Sequence, residues 1–232
     1  MTTPPSSLST RCWNFAEGEV LFVNKPLTWT SFDVVKKIKY QLRIKKIGHA
    51  GTLDPLATGL LILCTGKMTK QIDQYQAQEK EYTGTLVLGK TTPSVDLETE
   101  FDSEHPIDHL TENDWEPARQ SFVGEIQQIP PAHSAVQVNG QRAYKLARQG
   151  VDVVIKPRTV TISALEFTRV ELPEIDFRMV CTKGTYVRSV VRDFGEQLGV
   201  GAYLKNLCRT RIGPHTLADA YSLDELLSLG QV

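Results

Sequence analysis

The 232-residue chain reads as an α+β protein. Short runs of strand length recur along it, at residues 19–24, 60–64, 82–88 and 175–181. Stretches with apolar residues at helical spacing lie between them, most clearly at 30–42 and 187–198. Gly- and Pro-rich joints separate the two kinds of segment. Hydrophobic residues at 41% and charged residues at 23% are ordinary for a globular protein. No apolar run approaches the length of a membrane span, and the start lacks a basic-then-apolar secretory pattern. Four cysteines, at 12, 64, 181 and 208, form no C-x-x-C pair, which points to reduced thiols and a cytoplasmic protein.

Residues 1–18 carry Pro, Ser and Thr with little periodicity and read as a mobile leader. The strand at 19–24 stops at Lys25-Pro26. Thr30-Ser31 opens a helix, with Asp33 placed for a capping box and Val34, Val35, Ile38 and Leu42 as the apolar stripe. Residues 48–59 form a loop punctuated by Gly48, Gly51 and Gly59, and the apolar run after it reads as a buried strand that anchors the loop. Pro55 biases Asp54 toward an extended backbone, so one carboxylate sits on a stiff loop backed by core. That arrangement suits a nucleophile or an acid/base group; an ordinary turn aspartate is the plain alternative.

Residues 67–78 have helical character, and 82–88 alternate as a strand. The acidic stretch to Glu116 suggests a loop and a short helix. His105 and His109 within it are interrupted by Pro106 and lack a third ligand, so no metal is expected. Residues 122–149 suggest a strand, an Asn139-Gly140 turn and a helix closed by Gly150. Residues 153–167 and 175–181 are β-rich and expected to pair. A helix follows, with Val187, Val190, Val191, Phe194 and Leu198 on one face, Arg188 and Arg192 on its flank, and Gly199 at its end. Residues 202–212 give another strand, and Ser222 and Glu225 frame a last short helix.

The net charge of −1 conceals segregation. Six basic residues and no acids lie between 36 and 46, and basic residues dominate 178–211. Nine acids and no Lys or Arg lie between 91 and 118. Two basic runs flanking the glycine-rich loop make a phosphate-binding face reasonable.

The string Gly51-Thr-Leu-Asp54-Pro-Leu-Ala-Thr-Gly59-Leu-Leu, with Gly48-His49 before it, closely resembles the active-site loop of the TruB family of tRNA pseudouridine synthases. Lys80-Glu81-Tyr82, the segment from Gln127 to Gly150 and Cys181-Thr-Lys-Gly-Thr-Tyr-Val-Arg188 match the same family in the same order, so the resemblance covers roughly 19–229. Residues 89–96 depart from its usual Thr-Asp-x-x-Asp pattern, and His133 stands where an aromatic is common.

The resemblance implies a single catalytic domain over 19–232, without the small RNA-binding PUA domain of longer members. Its sheet would be mixed and largely antiparallel, flanked by helices and loops. It implies isomerisation of uridine to pseudouridine in RNA, with the T-arm of tRNA as substrate and the uridine at tRNA position 55 as target. No cofactor is implied; the loop departs from a P-loop at Leu61 and Met68. A monomer without an obligatory protein partner is expected. By resemblance the catalytic residues are Asp54, Tyr82 against the target base, and Arg188 paired with Asp54. His49, Lys25 and Leu207 are placed near the substrate. Two other readings share these features: an RNA-binding or tRNA-folding protein that keeps the fold, and the catalytic subunit of a guide-RNA particle. A hydrolase fits less well, since no Ser-His-Asp or paired-carboxylate pattern is present.

Overall fold

In this computed structural model the described residues are 12–134, 136–138, 140–151 and 154–229. Residues 1–11 of the expected leader and Asn139 of the expected turn lie outside them.

The elements follow as β1 (Val20–Lys25), α1 (Ser31–Gln41), β2 (Ile47–His49), β3 (Ala57–Thr65), α2 (Ile72–Ala77), β4 (Lys80–Leu88), β5 (Lys90–Thr91), β6 (Ser103–Glu104) and α3 (Glu112–Ser121). Then come β7 (Gly124–Gln128), β8 (Gln137–Val138), β9 (Gln141–Arg142), α4 (Ala143–Ala147), β10 (Arg158–Glu171) and β11 (Glu174–Cys181). The chain closes with α5 (Val187–Gln197), β12 (Ala202–Ile212), β13 (His215–Thr216), β14 (Tyr221–Ser222) and α6 (Leu223–Ser228). A 3-10 turn over Gly66–Gln71 leads into α2, so the helical segment expected at 67–78 is split.

The chain forms two compact units, residues 1–82 with 207–232 and residues 83–206. The division falls inside two strands, β4 after Tyr82 and β12 after Asn206.

In the first unit the strand order is β14-β1-β3-β12. β1 and β3 are antiparallel, with Val23 opposite Leu61, while β12 runs parallel to β3 with Leu207 opposite Ala57 and Arg209 opposite Gly59. Helix α1 begins as the sequence suggests: the Thr30 side chain accepts from the Asp33 amide, and the Asp33 carboxylate accepts from the Thr30 amide at 3.1 Å. Its stripe of Val34, Val35 and Ile38 packs with Leu21, Val23, Leu61 and Leu63 and with Leu223 and Leu226 of α6. Trp13 and Phe15 pack against the same core, so the chain is held from well before Glu19.

The second unit orders its strands β4-β11-β10-β7. β10 pairs antiparallel with both β11 and β7, with Ile162 opposite Cys181 and Val160 opposite Ile126. The pairing of the two β-rich segments holds, with β10 starting at Arg158, directly after Pro157, while residue 153 of the expected segment lies outside the described residues. The apolar face of α5, from Val187 through Phe194, gathers with Leu86, Leu165, Phe177 and Met179. The acidic stretch contributes α3 and the small β5–β6 pair, two-residue strands too short to leave an alternating signal. Across both units the pairing is mixed and largely antiparallel, as expected.

Candidate active site

The glycine-rich loop belongs to the first unit and is held by side chains from three separate segments. From α1, the Ser31 hydroxyl accepts from the Leu53 amide at 2.8 Å and donates to the Leu53 carbonyl at 3.2 Å. At the end of β1, Lys25 is fully buried and its Nζ donates to the carbonyls of Pro26 (2.9 Å), Trp29 (2.5 Å) and Pro55 (3.2 Å). From β12, Arg209 is 1% exposed and donates through Nε to the Leu60 carbonyl at 2.8 Å. Its Nη1 and Nη2 reach the carbonyls of Thr52 (3.4 Å) and Gly51 (3.2 Å). Buried cations need such acceptors to offset the loss of water.

These contacts bracket Asp54 on both sides. Thr28 donates its amide to the Pro55 carbonyl at 2.9 Å, and Ala57 donates its amide to the Asp54 carbonyl at 3.1 Å, closing a turn with Pro55 in its second position. Asp54 is half-buried on this clamped turn. Burial pushes Lys25 down to about 8; Asp54 opposes that shift and Arg209 reinforces it, which places all three charges in one neighbourhood. His49, on β2, is half-buried, and burial lowers its pKa, favouring the neutral ring. Tyr82 on β4 is 8% exposed, and Leu207 on β12 is equally buried, its carbonyl accepting from the Thr58 hydroxyl at 3.4 Å. Lys25, His49, Asp54, Tyr82 and Leu207 thus all belong to the first unit.

Arg188 belongs to the second unit, at the start of α5. It does not lie on an exposed flank. It is 4% exposed, donating through Nη1 to the Ser94 carbonyl and through Nη2 to the His133 carbonyl, both at 2.9 Å. Its Nε stands 3.7 Å from the Asp96 carboxylate, itself buried. The expected neighbour on the helix, Arg192, stays at the surface beside Asp193. A buried arginine is tolerated here because two carbonyls and a carboxylate replace its hydration. Arg148, just after α4, pairs with Glu98. Among the described residues, no group of three or more His, Cys, Asp or Glu is placed to hold a metal ion.

Arg209 was missed by sequence reasoning, which singled out Leu207 two residues earlier. The period-two alternation of a strand puts both on one face, and that signal marks Arg209 as inward-facing.

Residues 39–187, more than half of the chain, match the family model described as TruB family pseudouridylate synthase (N terminal domain). The class is therefore that of a pseudouridylate synthase. Two relatives are called tRNA pseudouridine synthase B. The protein of Phocaeicola vulgatus is 54% identical over 217 residues, 91% of this chain and 92% of its own. That of Parabacteroides distasonis is 53% identical over 219 residues, 92% and 93% of the two chains. Among solved structures, a chain of a Cbf5-Nop10-Gar1 complex matches with a TM-score of 0.71 and 30% identity over 92% of this chain. A chain of an archaeal box H/ACA sRNP Nop10-Cbf5 complex matches with a TM-score of 0.68 and 26% identity over 94%. This chain spans 54% and 55% of those two chains, about half their length. The chain belongs to the TruB family of pseudouridine synthases.

Proposed function

We propose that the protein isomerises uridine to pseudouridine in tRNA, at the uridine of tRNA position 55 in the T-loop, with Asp54 as the central catalytic group. The observation that carries this reading is the clamped loop. Lys25, Ser31 and Arg209 hold the backbone on both sides of one half-buried carboxylate. Family membership and relatives named as tRNA pseudouridine synthases supply the substrate class.

In the reaction the bond from uracil N1 to C1′ breaks, the base turns, and a bond from C5 to C1′ forms. The C5 proton is lost and N1 gains one, so the net composition is unchanged and no redox partner is needed. A carboxylate suits this step because it is anionic at neutral pH. It serves either as nucleophile toward the sugar or base, or as the charge that stabilises a cationic C1′. The target base must first leave its stack, which costs a few kcal/mol. Tyr82 stacks on the flipped base and assists removal of the C5 proton. Stacking of about 1–3 kcal/mol per base offsets much of the flipping cost. His49 fills the space the base vacates, a role that suits a ring kept neutral by burial. Leu207 lines the pocket, Lys25 holds the loop, and Arg188 acts as counter-ion to Asp54, as the family resemblance assigns. The enzyme works as a cytoplasmic monomer on the T-arm without an obligatory protein partner.

Tritium release from [5-³H]uridine tRNA transcripts tests this. Wild type should release tritium; Asp54→Asn and a transcript altered at the T-loop uridine should not. Tyr82→Phe should bind tRNA yet lose most turnover. A wild type that binds tRNA and releases nothing would favour the RNA-binding reading, and an active Asp54→Asn would remove this loop as the active site.

A further inference from the structure

We propose that the outer face of α1 and the turn after it form a track for RNA backbone, which grips the strand of tRNA adjoining the target uridine. The proposal rests on the reading of the protein as a tRNA-modifying enzyme, and it assigns a surface that the clamped loop does not use. Lys36, Lys37, Lys39, Arg43, Lys45 and Lys46 are all exposed, with no acidic residue between them. None of the six makes an ion pair among the described residues, although exposed lysines and arginines elsewhere do so repeatedly. Lys36 and Lys39 lie three apart on the helix, and the acid beside them, Asp33 one turn before Lys36, is already engaged by the amide and hydroxyl of Thr30, so the face stays net positive.

Two aromatic rings share this face. Tyr40 is 84% exposed and Phe32 is 67% exposed, both standing free of the apolar stripe. A groove of about 450 Å³ runs along Thr28, Trp29, Asp33, Lys36, Lys37 and Tyr40. Its Thr28 end is tied by the hydrogen bond from the Thr28 amide to the carbonyl of Pro55, the residue after Asp54. The groove therefore begins beside the loop that carries Asp54. From Ser31 to Tyr40 the helix rises roughly 13 Å, the reach of two or three nucleotides. Basic side chains interleaved with open aromatic faces are the chemistry that holds single-stranded nucleic acid.

The turn adds an independent observation. Arg43 has φ +51° after the helix end, its amide donating to Tyr40 and that of Ile44 to Lys39 at 2.9 Å. This is the left-handed position at which glycine is favoured. An arginine there weakens the helix end, so its charge is better explained by an anionic partner than by folding.

The test uses the full chain and tRNA transcripts, with filter binding at several salt concentrations. Lys36→Glu/Lys37→Glu/Lys39→Glu should raise Kd at least tenfold. The slope of log affinity against log salt should fall by about two, at roughly 0.7–0.9 per lost phosphate contact. Tyr40→Ala should raise Kd about fivefold or more, the equivalent of one lost stacking contact. Arg43→Gly should weaken tRNA binding while raising Tm, opposite signs that a misfolded variant does not give. Tritium release at saturating tRNA should stay at the wild-type rate in all three. A charge-matched control outside both basic runs, Lys67→Glu/Lys70→Glu/Lys156→Glu, should leave the slope largely unchanged. Unaltered Kd and slope in the α1 variants, or an equal loss in the control, would overturn the proposal. If wild type released no tritium yet the α1 variants lost affinity and slope, the enzymatic reading would fall and the RNA track would stand.

Discussion

An ammonium group has three protons, and Lys25 places all three on carbonyls, one of them that of Pro55 beside Asp54. Burial lowers its pKa from 10.5 to about 8. Below pH 8 both the folded and unfolded chains carry the proton, and the buried charge is a standing cost. Between about pH 8 and 10.5 the unfolded chain still holds the proton that the folded chain has released, so this group's contribution to stability improves as pH rises. Function should go the other way, because a neutral amine keeps only two protons for three acceptors. Turnover is expected to fall above about pH 8, with Tm holding. Lys25→Met should be slower and flat over that range. A wild-type rate that stays level to high pH would show that the third bond is dispensable. Arg209 acts by the same logic from the other side of the loop. Arg209→Lys keeps the charge but not the fork that spans Gly51, Thr52 and Leu60. It should lower kcat by about tenfold or more with KM little changed, since a misplaced catalytic group loses rate more than binding. A rise in KM alone would place Arg209 in substrate contact instead. At this scale the stiff loop around Asp54 was legible, because its neighbours are glycines and a proline whose backbone effects are local. Arg209 and the burial of Arg188 were not, since an arginine's acceptors come from carbonyls distant in sequence.

Elements were legible where the signal is periodic or terminal. The capping boxes at Thr30 and Ser222, the stripe of α1 and the face of α5 all follow from side-chain identity within a few residues. The short β5–β6 pair and the start of β10 carry no such pattern. One feature of β3 shows how an element can depend on a single missing side chain. Gly59 has φ +101°, and a Cβ there would run into the backbone carbonyl of Arg209 and lie 2.7 Å from its amide. Gly124, at the head of β7, has a similar φ of +106° with nothing within 4 Å of the same position. Gly124→Ala should therefore show the conformational strain alone, roughly 1–3 kcal/mol. Gly59→Ala adds a clash between paired strands that only backbone movement relieves, and should cost on the order of 3–5 kcal/mol. Denaturant unfolding of the two variants makes the comparison. Equal losses would mean that the β3–β12 contact adapts freely.

For the molecule as a whole, composition was informative and connectivity was not. The segregation of basic and acidic runs can be read from the chain, whereas the return of β12 to lie parallel with β3 joins residues some 150 positions apart and leaves no local trace. The consequence is a first unit built from both chain segments, 1–82 and 207–232. Its core depends on the last helix. Leu226 is fully buried, packed in one cluster with Val34, Val35 and Ile38 of α1 and with β1 and β3. Leu226→Ala should cost about 2–5 kcal/mol, the usual range for a buried leucine left with a cavity. At about 2–4 °C per kcal/mol for a chain of this size, Tm should drop by roughly 4–20 °C. Leu226 packs among apolar residues of that cluster and supplies no polar group to the loop, so turnover at low temperature should be near that of wild type. The temperature at which activity fails should fall in step with Tm, because that core carries α1 and β1, and with them Ser31 and Lys25. An unchanged Tm would mean that α6 adds little to the core; a fall in Tm with no earlier loss of activity would separate the loop's integrity from the core beneath it.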